Sequence, residues 1–383
     1  VSIIKRCVLL VDPRNRVRED DSNVISRHIK YAQALSKASK GEIGAVVILQ
    51  PHYAGGQAFV QVSENLYMVR SKTPLHGIFF SAKRAVLKLS EYEFTPAVLI
   101  AGDPDISFFS TRLIQRYISK KSDKQIPIQI QVHSELTRQY ARTGFVQFFK
   151  YIYAKYSLKL ADRVRATSEQ HSRNLLANFH VPSLKIDVIP VLLSIDLEKV
   201  STYAVNRPRS IGFVGRLQSE RNLDLFIKIV KLLEEKISDL NVVVVGDGKD
   251  RKSMESSLLK FLDKSRLSFL GNLDQNGMDS AWGKIGVLLS TAGNESYGRA
   301  IRESLCYGIP VLAHESLGVT SLLEESSSNW ISVIRFPINE KEIVGQFENL
   351  VNLKTGDAYL KFQKHRQSTL ADEMAESWLK MTR

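Results

Sequence analysis

Two glutamates, Glu295 and Glu303, stand eight positions apart in Asn294-Glu-Ser-Tyr-Gly-Arg-Ala-Ile-Arg-Glu-Ser-Leu305. Eight residues is a little over two helical turns, so on one helix both carboxylates would face roughly the same side. A strand-like run, Ile285-Gly-Val-Leu-Leu-Ser290, leads in, and Gly308-Ile-Pro-Val-Leu312 follows. A helix starting near Ser296, Tyr297 and Gly298 would turn its free N–H groups toward whatever lies beyond the strand, a natural seat for a phosphate. Glu295 would then sit just ahead of the helix and Glu303 about two turns inside it.

Three other places carry residue types suited to such a ligand. Gly212-Phe-Val-Gly-Arg-Leu217 reads as a strand ending in a tight turn at Gly215, with Arg216 at its mouth and Arg221 five residues on. Two guanidiniums at one strand end suit a diphosphate, since each offers forked, permanently charged donors. Val242-Val-Val-Val-Gly-Asp-Gly248 ends a strand at Gly246, where a backbone can approach a ligand closely. His133 follows the apolar strand Ile126–Val132 directly, a position from which a side chain can touch substrate. Taken singly, each has a plainer reading: solvated acids, surface arginines, a structural glycine turn, a structural histidine.

The elements that must position these residues alternate in type. Strand candidates are 7–11, 45–49, 97–101, 126–132, 163–166 and 186–189, with helical patterns such as 22–39 and 111–122 between them. A second series runs through 210–214, 241–245, 267–270, 285–290, 310–313 and 330–334, with a helix over 222–237. Strands alternating with helices predict α/β domains with parallel sheets and right-handed crossovers. Two series predict two doubly wound domains, 1–197 and 198–365, with 366–383 as a terminal helix able to pack on the first. Ligands bind beyond the carboxyl ends of such strands, so the site is expected in a cleft between the domains.

Length and composition fit two globular cores. The two cysteines, Cys7 and Cys306, make no metal cluster or disulfide framework and read as buried reduced thiols. No signal-peptide pattern opens the chain and no apolar run nears a membrane span, which together predict a cytoplasmic location. The net charge is +13, about +12 of it within the first 200 residues. A basic first half predicts an anionic partner. No helix-turn-helix, zinc pattern or aromatic RNA-binding strand accompanies the charge, so nucleic acid is not expected.

In order and spacing, Gly215-Arg216, Val245-Gly-Asp-Gly248, Glu295 to Glu303 and Gly308-Ile-Pro-Val311 resemble glycosyltransferase family 4, retaining enzymes with two facing Rossmann-like domains, the GT-B fold. Ala161-Asp-Arg-Val164, Ala166-Thr-Ser-Glu169, Ile189-Pro190 and Ser194-Ile-Asp-Leu197 resemble the family's crossing between domains. The resemblance implies transfer of a sugar from a nucleotide-sugar donor to a hydroxyl of a saccharide or lipid-linked acceptor, with no metal or other cofactor. It implies that Arg216 and Arg221 hold the diphosphate, Glu303 the ribose and Glu295 the sugar hydroxyls. Gly215, Gly246 and the backbone of Ser296, Tyr297 and Gly298 would assist the donor, and His133 would lie on the sugar and acceptor side. The departing phosphate itself would take the acceptor's proton while the protein positions the reactants and stabilises charge.

Three positions depart from the family pattern. The usual glycine pair after the first strand is replaced by Asp20-Asp-Ser-Asn-Val, where Ser22 and Asn23 could supply acceptor-side donors or a helix cap. Arg221 stands where a lysine is usual, and Val191-Leu192 replace Asn-Gly. The altered loop admits a catalytically impaired partner subunit as an alternative; an epimerase or a phosphorylase fits the motifs less well.

Two further segments carry expectations. Residues 144–160 pattern as a helix mixing many aromatics with Lys150, Lys155 and Lys159, suited either to the core or to an anionic membrane surface. Asp103-Pro-Asp105 reads as a turn rather than a metal-binding pair.

Overall fold

The computed structural model describes every residue except 1–4, 20, 52–55, 72–80, 123, 138–144, 194, 199, 201–206, 326–328 and 355–356, along with all side chains but those of Ser22 and Asn23 among the remainder. It divides into two compact units, Val1–Leu192 with Thr369–Arg383, and Leu193–Ser368.

The first unit is built on eight strands: β1 (Lys5–Val11), β2 (Ala45–Gln50), β3 (Phe59–Gln61), β4 (Leu66–Arg70), β5 (Phe94–Ala101), β6 (Ile128–Gln131), β7 (Arg163–Ala166) and β8 (Ile186–Val188). Their order is β3-β4-β2-β1-β5-β6-β7-β8, parallel throughout except for β3 against β4. Interior strand β2 is buried on both faces, all six residues of Ala-Val-Val-Ile-Leu-Gln, whereas β6 and β7 bury Gln129, Gln131 and Arg165. Burial on both faces is what a sheet covered by helices on both sides requires.

The expected parallel α/β architecture is present. The sequence pattern missed β3 and β4, because a three-residue edge strand carries too little periodicity to stand out and β4 joins it through a short hairpin. The last helix, Ala358–Lys380, returns the chain to this unit, burying Leu370, Met374 and Trp378 among residues of β1, β2 and β5. The Trp378 indole N–H donates to Gln129 Oε1 (3.0 Å), and Gln129 Nε2 donates to Ser377 Oγ (2.7 Å). Gln129 is fully buried, so these bonds offset its desolvation.

The second unit has six parallel strands: β9 (Ser210–Val214), β10 (Asn241–Val245), β11 (Leu267–Gly271), β12 (Val287–Ser290), β13 (Val311–His314) and β14 (Ile331–Ile334). Their order is β11-β10-β9-β12-β13-β14. The helix Leu223–Glu234 turns Leu223, Phe226, Ile229, Val230 and Leu233 into the core beside β9 and β10. Cys7 and Cys306 are buried free thiols, and desolvation pushes the pKa of each far above the usual range.

Candidate active site

Strand order in the second sheet runs outward from β9 in one direction through β10 and β11, and in the other through β12, β13 and β14. The loops leaving β9 and β12 therefore part company at the carboxyl edge, opening a crevice at the switch point. Arg221, Thr291, Glu295, Gly298 and Ala300 line it.

The loop after β9 lies against the loop after β10. The Gly215 N–H donates to Val245 O (3.0 Å), and the Leu217 N–H donates to Asp247 O (2.9 Å). A Cβ on Gly246 would stand 2.0 Å from Gly215 O, and φ at Gly246 is +119°. Glycine is thus required there by the neighbouring loop's backbone, the structural turn that the sequence allowed beside the approach of a ligand.

Arg216 projects from this loop with its side chain 66% exposed, its Nη2 3.3 Å from Glu220 Oε1. Arg221 ends a single 3-10 turn, Ser219–Arg221, and its carbonyl accepts from Thr291 Oγ1 (2.7 Å). Its Nη1 donates to Glu295 Oε2 at 2.5 Å. The two arginines expected at a diphosphate differ in setting: Arg216 stands exposed at the mouth, and Arg221 is joined to the acid. Arg221 Nε is buried and makes no hydrogen bond among the described residues.

The acidic segment departs from its expected geometry in one respect. The helix runs Arg299–Cys306, because Gly298 takes a left-handed conformation (φ +71°) and serves as its N-cap. Glu295 lies four residues before the helix, so the two acids do not share a helix face. Glu303 is about one turn inside, not two. Glu295 is held on both sides: its Oε1 accepts from the Gly298 N–H (3.3 Å) and its carbonyl from the Gly318 N–H (2.8 Å). Glu303 is 7% exposed, with Arg299 Nε 3.7 Å from its Oε1. Ser296 and Tyr297 are buried and do not line the crevice.

Sequence reasoning passed over Arg302. It is 1% exposed, donates from Nε to Tyr297 O (3.0 Å), stacks over the Tyr297 ring (4.1 Å to the centroid) and pairs through both Nη atoms with Glu325. It therefore ties the loop before the helix to helix Leu317–Glu325. An arginine one residue before Glu303, on the helix side that carries Leu305 and Cys306 inward, was the available signal.

In the first unit, His133 lies two residues past β6 with its side chain at the surface. Helix Ser22–Ala38 is capped by Asp21, whose side chain accepts from the Val24 N–H; neither Ser22 nor Asn23 is the cap, and their side chains lie outside the described residues. Asp103 forms the expected turn: its Oδ1 accepts from the N–H groups of Asp105 and Ser107, both at 3.0 Å. Among the described residues no three His, Cys, Asp or Glu side chains gather as a metal site.

Residues 195–365 match the family model described as glycosyl transferases group 1. The chain is 26% identical over 171 residues to a 2-deoxystreptamine glucosyltransferase of Streptomyces kanamyceticus, covering 42% of this chain and 44% of that protein. It is 25% identical over 169 residues to a GDP-mannose-dependent alpha-mannosyltransferase of Mycolicibacterium smegmatis, covering 43% and 42%. The match therefore spans less than half the length of these curated relatives. Among solved structures, a sucrose-phosphate synthase of Thermosynechococcus elongatus superposes with a TM-score of 0.69 at 14% identity, over 99% of this chain and 95% of that one. That likeness shows the GT-B fold. The stretch that matches the glycosyl transferases group 1 model, residues 195–365, is the one that carries the crevice lined by Arg221 and Glu295 at its sheet's switch point.

Proposed function

We propose that the protein is a retaining glycosyltransferase that moves a hexose from a UDP- or GDP-sugar to a hydroxyl of a saccharide or lipid-linked acceptor. The observation that carries the reading is the Arg221–Glu295 pair at the switch-point crevice, directly ahead of the capped start of helix Arg299–Cys306. Arg216 and the uncommitted donors of Arg221 would meet the diphosphate, and the first N–H groups of the helix would face the same charge. Glu303 would bind the ribose and Glu295 the hydroxyls of the sugar. His133 would serve the sugar and acceptor side, where a neutral ring can both give and accept a hydrogen bond.

Chemistry on this reading is positioning and charge stabilisation. The bond from the anomeric carbon to the diphosphate oxygen breaks as the acceptor oxygen bonds to the same face of that carbon. The acceptor's proton passes to the leaving phosphate oxygen. Guanidiniums aimed at the developing charge act as preorganised donors, and losing one such donor costs about 3 kcal/mol in the transition state. With two arginines placed for the diphosphate, the reading assigns no metal. We place the protein in the cytoplasm, in glycan or lipid-linked saccharide synthesis, able to meet a membrane surface.

A thermal-shift panel of UDP, GDP and their sugars tests the donor, and NMR of the product anomer tests retention. A shift with no nucleotide, or a product of inverted configuration, would overturn the reading.

A further inference from the structure

The helix Phe145–Leu160 is amphipathic in the unusual sense. Its buried residues are Ala154, Ser157 and Leu158, and Ser157 Oγ donates to Pro104 O (2.8 Å), so a narrow stripe of small and medium side chains docks it on the first unit. Its outward face carries the large apolar groups. Phe145 is 86% exposed, Phe149 65%, Phe148 59%, Tyr156 55% and Ile152 48%. Counted from Phe145 these fall at positions 0, 3, 4, 7 and 11, the spacing of one continuous helical stripe. A soluble surface seldom exposes such a contiguous aromatic patch without a partner for it.

The cations around the stripe say what that partner is. Lys150, Lys155 and Lys159 lie on the same helix, with Lys155 Nζ 4.8 Å above the Tyr151 ring. No acidic residue occurs between Phe145 and Leu160, and the first 200 residues hold about +12 of the protein's +13 charge. A protein partner of ordinary composition would leave these lysines to be paired one by one. An anionic bilayer surface takes apolar side chains below its headgroups and lysines at their level in one step. No helix among the described residues is long and apolar enough to cross a membrane, so the contact is one of lying on the surface.

We infer that the outward face of helix Phe145–Leu160 is an interfacial docking surface for anionic lipid, with Phe145, Phe148, Phe149 and Ile152 inserted and Lys155 and Lys159 at the phosphates. This deepens the lipid-linked acceptor reading, yet it stands on the helix alone and can fail separately from it. The test is flotation of the full chain with vesicles of phosphatidylcholine alone and of phosphatidylcholine with phosphatidylglycerol. Flotation is expected only with the anionic vesicles, weakened by salt. The variant F148S/F149S should lose it, while keeping the wild-type melting temperature because both side chains are exposed. K155E/K159E should lose it at low salt. Failure of the wild-type chain to float with anionic vesicles overturns the inference, as does equal flotation of F148S/F149S. So does a dimer in sedimentation that F148S/F149S dissolves without any lipid dependence, which would assign the stripe to a second copy of the chain. A nucleotide thermal shift that survives in F148S/F149S separates loss of docking from loss of the donor site.

Discussion

Arg221 Nη1 lies 2.5 Å from Oε2 of Glu295, with the two side chains 27% and 23% exposed, so the loop after β9 is bonded to the loop after β12 across the crevice. The pair sets Glu295 in place and at the same time reduces the positive charge that Arg221 can offer a diphosphate. A bound donor would have to share the guanidinium, which has five N–H groups in a fixed fork. Glu295→Gln should therefore lower turnover with little loss of UDP affinity, because it frees Arg221 while weakening the hold on the sugar. Arg221→Met should lower both, since it leaves the Glu295 carboxylate without its partner; a charged hydrogen bond of this kind contributes about 1.5–3 kcal/mol. Steady-state kinetics beside nucleotide calorimetry on both variants checks the split, and equal effects on both quantities in Glu295→Gln would contradict the assigned roles.

Glu303 is expected to act on the nucleotide alone. Glu303→Ala should weaken UDP or GDP binding by about 10–100-fold, the range for losing a charge-assisted hydrogen bond. A free nucleotide, with no sugar attached, should feel the loss as strongly as the full donor. Calorimetry with nucleoside diphosphate and with nucleotide-sugar makes the comparison; a loss seen with the nucleotide-sugar alone would move Glu303 to the sugar.

Acid should destabilise the first unit through its buried histidines. His171, with no exposed surface, and His28 have pKa values lowered to about 4, in each case by desolvation first. In the unfolded chain each titrates near 6.5, so between pH 6.5 and 4 the unfolded state binds protons that the native state does not. Stability must then fall as pH drops through that window, by up to about 1.4 kcal/mol per pH unit for each histidine, and level off for these groups below it. Urea midpoints measured at pH 7, 6 and 5 should decline, and His171→Leu should flatten part of the slope; an unchanged slope in that variant would clear His171 of the effect.

On the proposed reading, Arg302 would position the loop Glu295–Gly298 through Tyr297 without touching the donor. Arg302→Met removes the buried guanidinium's bonds to the partly exposed Glu325 carboxylate, which keeps its bond from Ser321 Oγ (2.7 Å), and a hydrogen bond to a charged group contributes about 1.5–3 kcal/mol. Burial by itself would push the Glu325 pKa up, but its bonds to Arg302 prevail and hold it below the usual range. The paired variant R302M/E325Q should recover much of the melting temperature but not the donor affinity, because the bond from Arg302 Nε to Tyr297 O is still missing. Recovery of both together would reduce Arg302 to a stabilising role.

How much of this could be read beforehand follows from what each feature depends on. Interior strands such as β2 and β10 announce themselves because burial on both faces demands an unbroken apolar run. The position of Glu295 and Glu303 after β12 was legible for the same reason. The helix start was not. It depends on Gly298 adopting a left-handed conformation, and Gly298 reads equally well as the first residue of the helix. The Arg221–Glu295 bond joins residues 74 positions apart, and no local periodicity encodes such a contact. For the helix Phe145–Leu160 the sequence supplied the apolar spacing, but not which side of it faces the core.

Gly318 offers a way to disturb the loop Glu295–Gly298 without altering any side chain assigned to the ligand under the proposed reading. Its N–H bonds to Glu295 O, and a Cβ there would stand 2.8 Å from Gly298 N and 2.8 Å from Tyr297 C. Both are backbone atoms, so the clash can be relieved only by moving the segment that carries Glu295 and the helix cap. Gly318→Ala adds one methyl group and no charge, and overpacking of this size costs about 1–3 kcal/mol. Gly345→Ala is the matched control, since a Cβ there meets nothing within 4 Å. The expected outcome is a folded Gly318→Ala protein with a lowered melting temperature and nucleotide affinity reduced well beyond that of Gly345→Ala. Circular dichroism melts and nucleotide calorimetry on the two variants decide it. Wild-type affinity in Gly318→Ala would mean that the crevice tolerates a shifted loop, and that Arg221 and Glu303 bind the donor without the geometry described for Glu295 to Gly298.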